Sequence, residues 1–160
     1  MRLKQSVRFG FIALLALALY GFPGSVFADG DEADPTEPEK PTTEEGRKLV
    51  KAKKFSAAIP VLEKAVSMDP RDASAWNFLA YSHRKLGRFK VALKYYVKAL
   101  AINPDHKGAN EYLGELYLQM GQLDLAKKHL AKLMMLCPSG CEELADLQEE
   151  IEAFEKHKRS

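Results

Sequence analysis

From Thr42 onward the apolar residues fall into alternating stripes at helical spacing. Trp76, Leu79, Ala80 and His83 share one face at intervals of three and four, and Leu86 and Gly87 end that run. Phe89, Ala92, Leu93, Tyr96, Ala99 and Leu100 form a second stripe, stopped by Pro104. These runs predict two antiparallel helices. The small side chains of Ala80, Ala92 and Ala99 allow close approach, and Trp76, Leu79 and Tyr96 fill the remaining space.

The unit recurs. Asp69-Pro70, Asn103-Pro104 and Cys137-Pro138 stand at intervals of 34 residues. Alignment on them brings Ala58, Ala92 and Ala126 into register, as it does Leu62, Tyr96 and Leu130, and Gly46, Ala80 and Gly114. Lys53, Gly87 and Gly121 coincide at an expected turn. One helix pair cannot bury both of its faces, so a fixed period of this length marks a stacked solenoid. A further stripe of Leu144, Leu147, Ile151 and Phe154 predicts a closing helix, with Ser139 to Glu142 as its capping box. Glu142, Glu143, Asp146, Glu149, Glu150 and Glu152 supply the solvated face of that helix.

The middle unit, 73–106, carries Trp76, Leu79, Ala92, Tyr96, Ala99 and Pro104 at the spacing of the tetratricopeptide repeat (TPR), which the chain therefore resembles. The unit 107–140 carries Leu113, Gly114, Tyr117, Ala126 and Pro138. The unit 39–72 keeps Gly46, Ala58, Ala65 and Pro70 but has Thr42 and Glu45 where large apolar residues are usual. The resemblance implies an all-α solenoid of three repeats plus a cap helix at about 140–156, a domain spanning 42–156, and a short tail at 157–160. It also implies that the first helix of each pair lines a groove for a peptide or helix. The groove positions are Thr43, Arg47 and Val50, then Asn77, Tyr81 and Arg84, then Glu111, Glu115 and Leu118. The best-known family variant grips a C-terminal carboxylate with Lys, Asn and Arg. Its positions here are Thr43, Arg47, Phe78, Gly108 and Tyr112, and only Arg47 has a suitable charge. That clamp is not expected.

The first 28 residues read differently. Arg2, Lys4 and Arg8 precede an apolar run from Phe11 to Tyr20, and Gly21, Pro23 and Gly24 break it. Val26 and Ala28 stand at the positions a signal peptidase reads, so a secretory leader cut after Ala28 is expected. The alternative is an uncleaved anchor, the one route by which the chain would meet a membrane. Asp29 to Pro41 follows as an acidic tether with Pro35, Pro38 and Pro41, expected to stay extended. This layout implies a periplasmic or secreted protein.

The net charge of +2 becomes 21 basic against 22 acidic residues once the leader is removed. Residues 73–104 nevertheless contain Arg84, Lys85, Arg88, Lys90, Lys94 and Lys98 and no acid. That basic middle could attract an acidic partner or the tether, or be a solvated face. Export, and the absence of aromatic residues among the exposed bases, argue against nucleic acid.

Cys137 and Cys141 are the only candidates for chemistry. Four residues apart at a helix end, they fit a structural disulfide in an oxidising compartment. Thiol exchange at Cys141, or Cu(I) capture with His129, Met134 and Met135, are the competing readings. No catalytic set, metal-ligand motif or cofactor motif is present, and His83 reads as a core residue. The sequence thus points to a non-enzymatic adaptor of a bacterial cell envelope that binds a peptide or helix of another envelope protein. The alternative is an envelope thiol-redox or copper-handling protein. Self-association through the Leu144, Leu147, Ile151 and Phe154 stripe is a further possibility.

Overall fold

The computed structural model describes residues 42–159, and these form seven helices and no strand. The expected leader at 1–28 and tether at 29–41 lie outside them. The helices are α1 (Thr43–Lys51), α2 (Phe55–Met68), α3 (Ala73–Lys85), α4 (Phe89–Ile102), α5 (Lys107–Gln119), α6 (Leu123–Leu136) and α7 (Glu142–Arg159). None is long and apolar enough to cross a membrane.

The proline dipeptides work through the residue before and the residues after them. Asp69 Oδ1 accepts the Arg71 amide at 2.9 Å, and Asn103 Oδ1 accepts that of Asp105 at 3.0 Å. Each closes a turn that sends the chain into the next helix. Thr42, Asp72 and His106 then cap α1, α3 and α5 by accepting the Glu45, Ala75 and Ala109 amides. Trp76 Nε1 donates to the Pro70 carbonyl at 3.0 Å. At the matching position in the next repeat, Asn110 Nδ2 donates to the Pro104 carbonyl at 3.1 Å. Two different side chains thus make the same tie.

Each first helix packs on its own second helix, and each second helix packs on the first helix that follows. The first helices also meet in series: α1 with α3, α3 with α5, and α5 with α7. The backbones of the second helices α2, α4 and α6 do not approach one another in this way. The stack therefore curves with α1, α3, α5 and α7 on its inner face. Ala58, Leu62, Ala80, Ala92, Tyr96, Ala126 and Leu133 are fully buried between the layers. A Cβ added at Gly114 would lie 2.6 Å from a Leu147 methyl, so glycine is what lets α7 seat against α5.

Three details differ from the sequence expectations. The helix α7 opens at Glu142, so Cys141 rather than Ser139 flanks it, and the Cys141 carbonyl accepts the Ala145 amide at 3.1 Å. The helix thus starts two residues beyond where the expected capping box would start it. The helix also runs to Arg159, so the tail expected at 157–160 is helical through 159. Finally, Leu147 and Ile151 are buried against α5 and α6, with Leu144 and Phe154 beside them. The stripe considered for self-association is consumed within the chain.

Gly87 and Gly121 close the turns inside the second and third repeats at φ of 73° and 75°. Lys53 holds the same left-handed turn in the first repeat at φ 58°. A Cβ disfavours that conformation by about 1 kcal/mol. Lys53→Gly is therefore expected to raise unfolding stability by about 1 kcal/mol, read by urea denaturation. An unchanged or lower midpoint would show that the turn is not strained.

Candidate functional site

Two hollows open on the inner face and share Phe78 and Tyr112. The first, of about 330 Å³, is walled by Val50, Phe55, Phe78, Tyr81 and Tyr112 and carries Lys51, Lys53 and Lys85. The second, of about 270 Å³, lies toward α7. It is lined by Asn77, Phe78, His106, Gly108, Glu111 and Tyr112, with Glu142, Glu143 and Asp146 from the cap helix. The groove is thus aromatic in the middle, basic at one end and acidic at the other. A separate hollow of about 560 Å³ on α3 and α4 is lined by Trp76, Tyr95, Val97 and Ala101 with Lys94 and Lys98.

The aromatic middle is continuous. The Tyr81 ring sits 4.6 Å from that of Tyr112 and 5.9 Å from that of Phe55, centroid to centroid. Arg84 runs alongside, its guanidinium 5.1 Å from the Tyr81 centroid and 5.6 Å from the Tyr112 centroid. Only 2% of the Arg84 side chain is exposed, and its Nη1 donates to Glu115 Oε2 at 2.5 Å. This buried pair ties α3 to α5. The Arg84 Nε and the Tyr96 hydroxyl behind it meet no group in hydrogen-bonding geometry, although the two are electrostatically coupled.

Glu111 is also buried, one turn before Glu115 on α5. Burial first, and then the charges of Glu115, Asp146 and Glu143, push its carboxyl well above the usual carboxylate range. Burial lowers the pKa of His83, His106 and His129 instead. His106 Nδ1 accepts the Ala109 amide at 3.1 Å, and Nε2 lies 3.2 Å from Ser74 Oγ. That cap requires a neutral ring with its proton on Nε2. His129 faces Asn110 Oδ1 at 3.0 Å and stacks on Tyr117. His83 lies buried against Tyr95 with neither ring nitrogen hydrogen-bonded.

The nine expected groove residues separate into three groups. Val50, Asn77, Tyr81 and Glu111 line the hollows. Arg84 and Glu115 form the buried pair beneath the tyrosines. Thr43 donates to Asp72 at 2.6 Å, Arg47 pairs with Glu44 on its own helix, and Leu118 is buried in the cluster under α7. Periodicity missed Phe55, His106 and the α7 acids, because they reach the groove from helix ends or from the cap. Phe78 and Tyr112 fall at the clamp positions and form the shared wall instead, and Gly108 lines only the hollow toward α7. Of the basic middle segment, Arg84 is interior, Lys85 lies on the groove, and Lys94 and Lys98 flank the other hollow.

Cys137 and Cys141 are joined in a disulfide with their Cα atoms 5.8 Å apart. It links the end of α6 to the start of α7. Met134 and Met135 are exposed on α6, and His129 is held by Asn110 and Tyr117.

Two family profiles, both for the tetratricopeptide repeat, match residues 43–106 and 83–151. The chain belongs to the tetratricopeptide repeat family. No curated protein matches the sequence. Among solved structures, this TPR chain is similar to the first TPR of Spaghetti (RPAP3) bound to the HSP90 peptide SRMEEVD. The identity is 24% and the TM-score 0.64, over 74% of this chain and 90% of that one. It is similar to MamA from Desulfovibrio magneticus RS-1 at 27% identity and a TM-score of 0.56, over 60% of this chain and 54% of that one. It is also similar to the type III secretion translocator chaperone SycD of Yersinia enterocolitica. There the identity is 17% and the TM-score 0.65, over 74% of this chain and 83% of that one.

Two outcomes follow for the TPR stack. Arg84→Ala leaves Glu115 without its counter-charge in a largely buried setting, and is expected to cost about 3–5 kcal/mol. The double change Arg84→Met/Glu115→Met should cost much less, since a buried pair replaced by apolar groups is often near neutral. Urea denaturation of the two variants checks this, and equal losses would show that the pair is not the cause.

His106 provides a pH test. Its folded pKa is lowered, so its contribution is complete above the unfolded value near 6.5 and is lost as pH falls through the folded value. Nearby Asp72 and Glu143 act in the opposite sense. Glu111, with a raised pKa, contributes stability at low pH that is lost as pH rises. The difference between wild type and His106→Asn isolates the cap, because asparagine caps well without titrating. From pH 7 to pH 5 the wild type should lose stability relative to the variant. Parallel profiles would place the His106 proton outside the cap.

Proposed function

We propose that this TPR chain is a non-enzymatic adaptor that holds a short segment of another protein, extended or helical, along its inner face. The observation that carries the reading is the continuous aromatic wall of Phe55, Phe78, Tyr81 and Tyr112, half-buried in a groove open to solvent. Rings with apolar faces and polar edges are what peptide anchors pack against, and a wall already fixed in position lowers the entropy lost on binding. Arg84 and Glu115 hold the wall from beneath. Support also comes from the fold, which is that of a solved TPR bound to a peptide.

The setting we propose is the cell envelope, or beyond it, after removal of residues 1–28. The leader pattern supports this, and so does the Cys137–Cys141 bond, since disulfides persist in oxidising compartments. The acidic tether would then separate the TPR stack from the new amino terminus.

Co-purification from the native envelope tests both parts. A Cys137→Ser/Cys141→Ser variant should retain the same partner as wild type. Phe78→Ala/Tyr112→Ala should lose it, with affinity falling by about tenfold or more, as for truncated aromatic anchors. The recovered chain should begin at Asp29 by mass. A partner retained without the two rings would sink the groove reading. A chain recovered with its first 28 residues would sink the cleavage reading.

A further inference from the structure

The end of the groove nearest the first repeat is basic and has no acid of its own. Lys51 at the end of α1, Lys53 in the turn that follows and Lys85 at the end of α3 line the hollow of about 330 Å³, and no aspartate or glutamate does. All three lysines are exposed. Among the described residues, none of them enters an ion pair. Lys85 stands over the aromatic wall, its Nζ 5.6 Å from the Tyr81 ring centroid. The positive charge therefore sits beside a surface of Val50, Phe55, Tyr81 and Tyr112 that an apolar side chain can cover.

A second observation singles out Lys53. It holds a left-handed turn at φ 58°, where the two later repeats use Gly87 and Gly121. A side chain there carries a conformational cost that glycine avoids. Gly87 and Gly121 line neither hollow of the inner face, whereas Lys53 lines one. Backbone strain of this kind collects where a side chain serves a ligand. The ammonium of Lys53 is what glycine at this turn would remove.

These features select the chemistry of the occupant. Three ammonium groups with no acid among them take negative charge, and the rings beside them take an apolar neighbour. Lysines are point charges on flexible stems, suited to a carboxylate that arrives on a side chain of its own. The hollow continues past Phe78 and Tyr112 into the second one, so a peptide seated here runs on along the groove. We infer that the first-repeat end of the groove is a subsite for a Glu or Asp side chain of the bound peptide, received by Lys51, Lys53 and Lys85, with an adjacent apolar residue on Phe55 and Tyr81. This rests on the inner face being the peptide site. It adds a direction to it: the carboxylate lies toward α1, and Glu143 and Asp146 at the other hollow repel it from that end.

The probe is an array of short random-sequence peptides with amidated carboxyl termini, challenged with the chain as purified from the envelope and labelled at its carboxyl end. Bound peptides should be enriched in Glu or Asp beside an apolar residue. Resynthesis of the best binder with Gln for Glu, or Asn for Asp, should weaken it by about tenfold, the scale of a few exposed ion pairs acting together. That difference should shrink as salt is added. The Lys51→Gln/Lys53→Gly/Lys85→Gln variant should bind the acidic and the amide peptide alike. Lys53→Gly alone separates function from folding: it should raise the urea midpoint and yet reduce the acidic preference by about two- to threefold. A second array with free carboxyl termini shows whether a terminal carboxylate is read instead.

The subsite is overturned if binding needs Phe78 and Tyr112 but shows no acidic preference, if the triple variant or Lys53→Gly keeps that preference whole, or if only peptides with free carboxyl termini bind. In each case the groove reading stands. If no array peptide depends on Phe78 and Tyr112, the groove reading itself fails and the subsite fails with it.

Discussion

Close approach of helix backbones at a few small residues is the constraint on which this molecule depends. Gly46, Ala80 and Gly114 recur one period apart, and each is buried at a helix crossing. Glycine at 114 lets Leu147 of α7 enter where any Cβ would intrude. Without those contacts the first helices could not meet in series, and the inner face would not exist as one surface. Burial of the apolar stripes drives the stacking, but the small positions decide how near the layers come.

The groove is held by polar groups that the stacking traps. Arg84 enters the interior from α3 and reaches Glu115 on α5, so a charge pair crosses between repeats beneath the rings of Tyr81 and Tyr112. Such a pair adds little net stability, because desolvation offsets most of the attraction. Its consequence is geometric: the tyrosines rest on a guanidinium that cannot move without exposing a buried carboxylate. At the next step along the groove the balance is not complete. Glu111, Glu143 and Asp146 line the next hollow together, and no lysine or arginine lines it.

Much of the fold was legible from residue spacing. The 34-residue interval between prolines, the alanines in register and the turn glycines each correspond to a local requirement: a chain reversal, a close crossing, a left-handed turn. Lys53 shows the limit of register arguments, since it occupies the glycine conformation at a cost the first repeat carries. The cap helix shows another. Its apolar stripe was readable, but whether that stripe faced a second copy or its own repeats depended on whether α5 and α6 left a complementary surface, which Gly114 provides.

The sequence by itself determined the period, the helix pairs, the identity of the core stripes and the cysteine pair. These depend on neighbours within one or two turns, or on exact repetition, and both are written linearly. Only the tertiary structure decided which polar residues face the groove. Arg84 and Leu118 occupy equivalent positions of successive repeats, yet one is tied to Glu115 and the other lies beneath the cap helix. The acids of α7 enter the groove because the last helix continues the inner row. The physical reason is that a helix presents the same periodic face in any surroundings, whereas exposure, pairing and protonation are set by the elements packed against it.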